Sequence, residues 1–228
     1  YLDKNTLELT GYDLELGIQT KIQVDSEDHG EFTVNAKLFA EIIRKMPSED
    51  VSVEINDKLK ATIKGGDAEY NILALSADDY PSMPDYDTSD SITISQGLLK
   101  NMIGQTIFAV SVSDNKPILT GELFDIENGI FNLVAIDGFR LAVRTEKLNT
   151  EDRHHFVVKA KALSEVSKLL KDDGDDPVNM YLSRKHIVFD INGYMVISRL
   201  LEGEFHNYKG SIPQNHSCLL YTSDAADD

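Results

Sequence analysis

The most constraining feature of the chain is an internal repeat with an offset of 124 residues. Matching segments recur in the same order in both copies. The aligned pairs are residues 9–13 (LTGYD) with 133–137 (LVAID), residues 32–41 (FTVNAKLFAE) with 156–165 (FVVKAKALSE), Tyr70 with Tyr194 and, after a slip of one residue, residues 79–81 with 204–206. A repeat at fixed spacing indicates two copies of one structural unit. The chain is therefore predicted to contain two domains of the same topology, residues 1–86 and 87–213.

The two copies also share one predicted order of secondary structure. Alternating apolar residues predict strands, and apolar residues spaced by three and four predict one amphipathic helix in each copy. The first copy has predicted strands at 6–10, 14–18, 51–55, 61–63 and 70–75 and a helix at 36–46; the second has strands at 130–135, 140–144, 178–182, 187–191 and 194–200 and a helix at 159–171. Strands joined by short turns, with few helices, predict the α+β class with antiparallel sheets.

The second copy begins with segments that have no counterpart in the first. They are a predicted strand at 91–95, a helix at 96–110 and a strand at 119–126. Subtracting the offset places their counterparts before residue 1, so the first copy is predicted to lack about 34 residues of its beginning. At the other end, residues 218–228 do not continue the repeat and resemble a translated sequencing adapter. This segment, which contains the single cysteine Cys218, is left out of the fold prediction.

The charge of the chain is unevenly distributed over the predicted elements. The net charge is −17, which alone argues against a nucleic-acid partner because phosphate binding requires Lys and Arg. The three predicted helices nevertheless carry eight basic residues and only two acidic ones, Glu41 and Glu165. The basic residues are Lys37, Arg44, Lys45, Lys100, Lys159, Lys161, Lys168 and Lys171. Lysines without a cluster of base-reading side chains predict weak, sequence-independent contact with DNA phosphates.

No residue pattern in the sequence predicts catalysis or a cofactor. The six histidines lack the spacing of a metal site, and residues 172–176 lack the alternating ligands and final Glu of a calcium loop. Asp13 and Asp137 occupy equivalent turns, which favours structural carboxylates that accept backbone N–H groups over a catalytic pair. Two alternative functions stay open: a hydrolase with catalytic residues outside the chain, and an acidic protein-interaction module whose helix lysines only aid solubility.

Several segments match the patterns of a known protein family. In the second copy they are residues 117–124 (PILTGELF), residues 134–143 (VAIDGFRLAV), residues 204–208 (EFHNY) and Ile212 with Pro213. In the first copy they are residues 7–15 (LELTGYDLE) and 79–81 (DYP). The former resemble the middle domain, and the latter the first domain, of bacterial DNA sliding clamps, the beta subunits of DNA polymerase III. The resemblance extends from residue 1 to about residue 217.

The resemblance implies both a fold and a role. Sliding clamps have three similar domains per chain, and two chains join head to tail into a ring with helices lining the hole and sheets outside. By this resemblance, residues 1–86 are the later part of the first domain, residues 87–213 the second domain, and residues 214–217 the start of a linker to an absent third domain. The implied role is non-catalytic: a homodimeric processivity factor that slides on double-stranded DNA and tethers the replicative polymerase.

The resemblance also implies a site for short peptide motifs of the polymerase, the clamp loader and repair proteins. The matching positions are Leu119, Gly138, Phe139, Arg140, Leu141 and Pro213. The residues alone leave open that Leu119 and Leu141 are strand residues of the core and Gly138 a turn residue. The helix residues implied to face DNA are Lys37, Arg44, Lys45, Lys100, Lys159, Lys161 and Lys168. No cofactor and no membrane contact are implied, and the lack of a long apolar run or signal pattern predicts a cytoplasmic protein.

Overall fold

The structure, a computed structural model, describes residues 1–88, 91–113, 115–172 and 174–212. The chain folds into two compact units. Unit 1 comprises residues 1–93 and 177–199, and unit 2 comprises residues 94–176 and the described part of residues 200–228. The predicted linker at 214–217, the predicted tail at 218–228 and the predicted site residue Pro213 lie outside the described residues.

The elements of the described residues belong to the α+β class, as predicted. The strands are β1 (Leu2–Asp3), β2 (Thr6–Tyr12), β3 (Leu16–Gln23), β4 (His29–Gly30), β5 (Phe32–Thr33), β6 (Ser52–Ile55), β7 (Lys60–Gly65), β8 (Ala68–Leu73), β9 (Leu75–Ser76), β10 (Ser91–Ser95), β11 (Gly121–Glu127), β12 (Ile130–Ile136), β13 (Leu141–Lys147), β14 (His154–Lys159), β15 (Pro177–Leu182), β16 (His186–Ile191) and β17 (Tyr194–Leu201). The α-helices are α1 (Ala36–Arg44), α2 (Gln96–Thr106), α3 (Ala160–Leu169) and α4 (Tyr208–Ser211). All strand pairs with a defined register are antiparallel.

The repeat predicted from the sequence is present in the backbone. A shift of 124 residues superimposes the bounds of β2 on those of β12, and α1 and α3 begin at equivalent positions. Thr6 pairs with Gln23 across the β2–β3 hairpin, and Ile130 pairs with Lys147 across the β12–β13 hairpin. Both members of each pair are 124 residues apart from their equivalents, so the two hairpins have the same register. The prediction of one topology in both copies is confirmed.

Unit 1 joins strands from both copies in one antiparallel sheet, in the order β15–β16–β17–β3–β2–β1–β4. Ile197 of β17 pairs with Gly17 of β3 at the point where the copies meet. A Cβ at Gly17 would lie 2.5 Å from Cε of Met83, so a larger residue at this position would displace the end of the Met83 side chain. Because β17 pairs with β3, and β15 and β16 continue the sheet from β17, the compact units do not follow the repeat. The domain boundaries at 1–86 and 87–213 stay predictions.

A second, three-stranded sheet of unit 1 packs with α1. Its order is β6–β7–β8, and its core residues are Ile42, Ala61, Ile63, Ile72 and Ala74. Asn35 caps α1, since its Oδ1 atom accepts a hydrogen bond from the N–H of Leu38 (3.0 Å). The helix ends at Arg44, two residues before the predicted end. The N–H groups of Lys45 and Met46 then donate to the carbonyls of Ile42 and Ile43.

Unit 2 is built on the sheet β13–β12–β11–β14, which is covered on both faces. Because successive side chains of a strand alternate between faces, Phe124 and Leu123 lie on opposite sides. Phe124 stacks on Phe131 (5.2 Å between ring centroids) and Phe156 (5.0 Å) on the face that α2 and α3 cover. Leu123 joins a cluster on the other face, whose remaining buried members are Val134, Ile136, Val157, Phe205 and Tyr208.

Several predicted elements of unit 2 have different bounds in the structure. The strand predicted at 119–126 begins at Gly121, because Pro117–Thr120 forms a 3-10 turn in which the Thr120 hydroxyl donates to the Pro117 carbonyl (2.7 Å). The helix predicted to reach residue 110 ends at Thr106 and tightens into a 3-10 turn at Ile107–Ala109. Lys159, predicted in a helix, is the last residue of β14. No helix in the described part of the chain combines the length and apolarity that crossing a bilayer requires.

Candidate nucleic-acid and peptide interfaces

The turn after β12 positions four of the predicted peptide-binding residues. Asp137 anchors it, because its Oδ1 atom accepts hydrogen bonds from the N–H groups of Phe139 (2.9 Å) and Arg140 (3.0 Å). Gly138 has a φ of 95°, a conformation that glycine adopts without strain. These backbone hydrogen bonds, with a smaller contribution from the Arg140 side chain, hold the pKa of Asp137 below its ordinary value. The prediction of a structural Asp at this turn is confirmed.

The side chains of the predicted site differ in their exposure. Phe139 is fully exposed, and Arg140 donates from Nε to Oδ2 of Asp137 (2.8 Å). Leu119 and Leu141 are half-buried against the cluster that contains Leu123. The structure therefore brings the two leucines to one apolar surface, with the exposed turn of Gly138, Phe139 and Arg140 directly before Leu141. Each leucine contributes to the core and also leaves part of its side chain accessible.

The sequence did not predict the exposed ring of Phe108 beside this turn. Phe108 is 59% exposed, and the Arg140 guanidinium lies 5.9 Å from its ring centroid, a cation–π distance. Phe108 was placed inside the helix predicted at 96–110, whereas it lies in the 3-10 turn after α2. In the sequence, the position of this large apolar residue near the end of the predicted helix could have indicated that its ring is exposed.

A buried polar group fixes the segment that covers the outer face of this sheet. Tyr208 donates from its hydroxyl to Oδ2 of Asp125 (2.6 Å), Nζ of Lys209 lies 3.1 Å from the same oxygen, and Nδ1 of His155 lies 3.3 Å from Oδ1. Burial raises the pKa of Asp125, but these hydrogen bonds outweigh it, and the pKa lies below its ordinary value. Burial and the Asp125 carboxylate raise the pKa of Tyr208 well above its usual range. No pattern in the sequence predicted this contact, because Tyr208 and Asp125 are separated by 83 residues.

The predicted DNA-facing residues of α1 are exposed and only partly neutralised. Lys45 pairs with Glu41 one turn earlier (2.6 Å). Among the described residues, neither Lys37 nor Arg44 has an ion-pair partner. The helix surface of unit 1 therefore presents two unpaired cations.

In unit 2, carboxylates accompany the predicted DNA-facing lysines. Lys168 pairs with Glu165 on α3 (2.8 Å). Lys100 on α2 pairs with Asp172 (2.7 Å) and donates to the Leu170 carbonyl (2.9 Å), which leaves its side chain 28% exposed. The other two, Lys159 and Lys161, also have interactions of their own. The surface is less basic than the count of lysines indicates.

One buried acid in unit 2 has no role in either predicted site. Glu122 of β11 is fully buried, and neither carboxyl oxygen has a hydrogen-bond partner among the described residues. The nearby Thr106 hydroxyl donates to the Met102 carbonyl instead (2.9 Å). Burial raises the pKa of Glu122 to about 8. In the described part of the chain, no three His, Cys, Asp or Glu residues are arranged to hold a metal ion.

Two domain families match the chain in the order of its two copies. The N-terminal domain of the DNA polymerase III beta subunit matches residues 2–84, and the central domain of the same subunit matches residues 93–207. The beta sliding clamp of Bacillus subtilis is 35% identical over 92% of this chain and 58% of its own length. That of Halalkalibacterium halodurans is 32% identical over 93% and 59%. The chain thus spans about three fifths of the length of these relatives.

Solved structures give the same result. A DNA polymerase III beta subunit from Eubacterium rectale has a TM-score of 0.89 and 36% identity, covering 93% of this chain and 59% of its own. The sliding clamp of Bacillus subtilis has a TM-score of 0.84 at 32% identity, covering 92% and 58%. A sliding clamp of Pseudomonas aeruginosa bound to griselimycin has a TM-score of 0.83 at 30% identity, covering 95% and 59%.

Proposed function

Because the chain belongs to the DNA polymerase III beta subunit family, we propose that it is part of a sliding clamp, a non-catalytic ring that holds a DNA polymerase on duplex DNA. One observation carries the proposal: the two matched domains follow each other along the chain and share one topology, with the same hairpin register. In this proposal, residues 1–86 and 87–213 are the first and second clamp domains. The protein acts in the cytoplasm, where bacterial DNA is replicated.

A sliding ring needs weak and interchangeable contacts with DNA. An exposed ion pair between protein side chains contributes only about 0–1 kcal/mol. Helix lysines paired in this way can therefore exchange their carboxylates for phosphates without binding tightly. The closed ring, rather than affinity, then prevents dissociation. The helix residues proposed to contact the phosphates are Lys37, Arg44, Lys45, Lys100, Lys159, Lys161 and Lys168.

DNA contact through α1 is tested with two charge-matched variants. Lys37→Gln with Arg44→Gln removes two cations from α1, and Lys58→Gln with Lys60→Gln removes two exposed cations from the turn between β6 and β7 and the first residue of β7. Fluorescence anisotropy with duplexes of unrelated sequence measures affinity against salt. The α1 variant should reduce the slope of log affinity against log salt by about 1.8, since each phosphate contact contributes about 0.9, and the β7 variant should not. Equal slopes, or no binding at low salt, would favour the acidic interaction module.

We propose that a second chain closes the ring, and the edge of the small sheet in unit 1 supports this. Within the part of the chain that the structure describes, β8 has a strand partner on one side only, and Tyr70 (39%), Leu73 (72%) and the nearby Leu75 (62%) are exposed. An open edge with apolar side chains favours pairing with another chain. In a protein of the relatives' length, sedimentation equilibrium should give a dimer, and Leu73→Lys should shift it to monomer. A monomer in both cases contradicts this part of the proposal.

The proposed partner site comprises Leu119, Gly138, Phe139, Arg140, Leu141 and Pro213, and it would take peptide motifs of the polymerase, the clamp loader and repair proteins. The shared apolar surface of Leu119 and Leu141, beside an exposed Arg, supports it. Griselimycin, the ligand bound in one of the solved Pseudomonas aeruginosa sliding clamps, serves as the probe of this site. Leu141→Ala should weaken its binding at least tenfold in calorimetry, since removing a buried anchor costs about 2 kcal/mol or more. Val143→Ala, on the same strand, is the control, and equal affinity of both variants contradicts the assignment.

A further inference from the structure

The acidic loop after α3 is attached to the start of α2. Backbone hydrogen bonds join Gln96 to the carbonyl of Asp176 (2.9 Å) and Gly97 to that of Gly174 (3.0 Å). Oε1 of the buried Gln96 side chain accepts from the N–H of Lys171 (3.2 Å). A Cβ at Gly97 would lie 2.9 Å from the Asp172 carbonyl oxygen, so α2 and this loop are in close contact. The carboxylates at its two ends are therefore held beside the two helices.

Each of these carboxylates pairs with a lysine close to the helix surface. Asp172 contacts Nζ of Lys100 on α2 (2.7 Å), and Asp176 contacts Nζ of Lys171 (2.7 Å). Both members of the Lys171 pair are more than half exposed, whereas Lys100 is 28% exposed. An exposed pair is weak and exchanges readily with solvent ions. Duplex phosphates would have to compete with Asp176 for Lys171, and with Asp172 for Lys100.

The loop after α1, which carries Glu49 and Asp50, makes no ion pair with the cations of that helix among the described residues. Lys37 and Arg44 of the helix have no ion-pair partner in the described part of the chain, and the carboxylate that pairs with Lys45 lies on the same helix.

Among the described residues, Lys100 of α2 is a helix lysine that pairs with a carboxylate from outside its own helix, whereas Lys171 lies in the loop itself, two residues after α3 ends. The loop after α3 therefore differs from the loop after α1 in placing its carboxylates on lysines beside the helices.

We propose that Asp172 and Asp176 act as built-in competitors of DNA phosphates, limiting the strength with which Lys100 of α2 and Lys171, just after α3, hold the duplex. This inference rests on the proposed function, because it requires that these helices face DNA. A carboxylate that occupies a lysine between phosphate contacts lowers affinity at every position along the duplex equally. The loop would thus favour sliding over tight binding without adding any sequence preference.

Neutralising the loop tests the inference. Asp172→Asn with Asp176→Asn removes both competitors, and Asp57→Asn with Asp67→Asn removes the same charge from exposed turns of unit 1. With a fluorescent duplex at about 50 mM salt, the loop variant should bind about tenfold more tightly than the control variant, and its salt slope should be steeper by about 1.8 because two more lysines release counterions. The single variant Asp176→Asn, which leaves the Lys100 pair in place, should give about half of the change in slope.

The outcomes separate the two proposals. If the chain binds DNA through α1 but loop and control variants behave alike, the loop inference fails and the clamp proposal stands. If no variant binds at any salt, the clamp proposal fails and the inference fails with it. Lysine acetylation followed by mass spectrometry provides a measurement without DNA: Lys171 should react more slowly than Lys37, and Asp176→Asn should remove the difference. Equal rates before the substitution would also overturn the inference.

Discussion

The turns after β2 and β12 share one backbone arrangement. In each, an Asp carboxylate accepts hydrogen bonds from the N–H groups two and three residues later: 3.0 and 2.7 Å at Asp13, 2.9 and 3.0 Å at Asp137. The next residue has a positive φ in both turns, 72° at Leu14 and 95° at Gly138. The repeat therefore reproduces the hydrogen bonds that shape the turn, even where the residue that follows the Asp differs.

The side chains at these turns differ more than the backbone does. The second turn continues with a fully exposed Phe139 and with Arg140, and the equivalent positions of the first turn are Glu15 and Leu16. An Arg beside an exposed aromatic ring can hold a partner; a Glu and a Leu offer a different surface. Thus the repeat accounts for the fold of both turns, and the proposed partner site depends on side chains present in one of them.

Burial also differs between equivalent strand positions. The largest expected change in stability follows from this difference. Leu133 of β12 is fully buried and Leu9 of β2 is 41% exposed, although the repeat aligns them. Leu133→Ala should lower the free energy of unfolding by about 2–5 kcal/mol, because it leaves a cavity in a packed core. Leu9→Ala should cost less than about 1 kcal/mol, since little buried area is lost. Urea unfolding measures both, and equal costs would show that the first copy is packed as tightly as the second.

The sequence predicted local features better than long-range contacts. The 124-residue offset predicted the matching order of β2, β3 and α1 with β12, β13 and α3, since alternation and helical spacing are local properties. Pairing of β17 with β3, and of Asp125 with Tyr208, depends on which distant segments meet, and neither periodicity nor composition encodes that. The predicted site shows both cases: Asp137 was identified from its turn, whereas the pairing of Lys100 with Asp172 was not. The basic helix surface was therefore overestimated.

A buried acid of unit 2, Glu122 in β11, should make stability depend on pH. The folded state keeps the Glu122 proton up to a pKa of about 8, while the unfolded state releases it near 4.5. Stability should therefore fall as pH rises between these values, by up to about 1.4 kcal/mol per pH unit. Glu122→Gln should remove this dependence and stabilise the protein by roughly 2 kcal/mol or more at pH 8. Urea unfolding from pH 5 to 9 measures the free energy of unfolding at each pH. Glu54→Gln, at an exposed position, is the control. If the free energy of unfolding of Glu122→Gln falls with pH as steeply as that of the unsubstituted chain, the prediction is wrong.

In each copy, the segment that follows the last strand is held by the hydroxyl group of a tyrosine, but the partners of the two hydroxyls differ. Tyr80 uses backbone partners, the N–H of Tyr12 (2.7 Å) and the carbonyl of Thr10 (3.3 Å), whereas Tyr208 donates to the Asp125 carboxylate. Tyr208→Phe should cost about 1.5–3 kcal/mol, and Tyr80→Phe about 0.5–1.5 kcal/mol, because hydrogen bonds to charged groups are stronger.

Acid titration distinguishes these two anchors. The lowered pKa of Asp125 means that its pairing stabilises the fold above the unfolded-state pKa of Asp and that this stabilisation is lost as pH falls through the folded-state pKa. The cost of Tyr208→Phe should therefore shrink in acid, and that of Tyr80→Phe should stay constant. Thermal unfolding of both variants at neutral and acidic pH tests this, and parallel changes in the two would show that Asp125 does not contribute through its charge.

The smallest expected change in stability concerns the residue that follows the Asp of each turn. This residue is a leucine in the first turn and a glycine in the second, and both have a positive φ. Leu14→Gly should stabilise the protein by less than about 1 kcal/mol, because the relief of a left-handed conformation (about 1–2 kcal/mol) is partly offset by the greater freedom of glycine in the unfolded chain. Gly138→Ala should cost about 1 kcal/mol from its φ alone, since no atom lies within 4 Å of the added Cβ. Gly193→Ala, at a φ of 85° with equally open surroundings, is the matched control. If Leu14→Gly destabilises the protein in urea unfolding, the 62% exposed Leu14 side chain stabilises the first turn, and the equivalence of the two turns is limited to their hydrogen bonds.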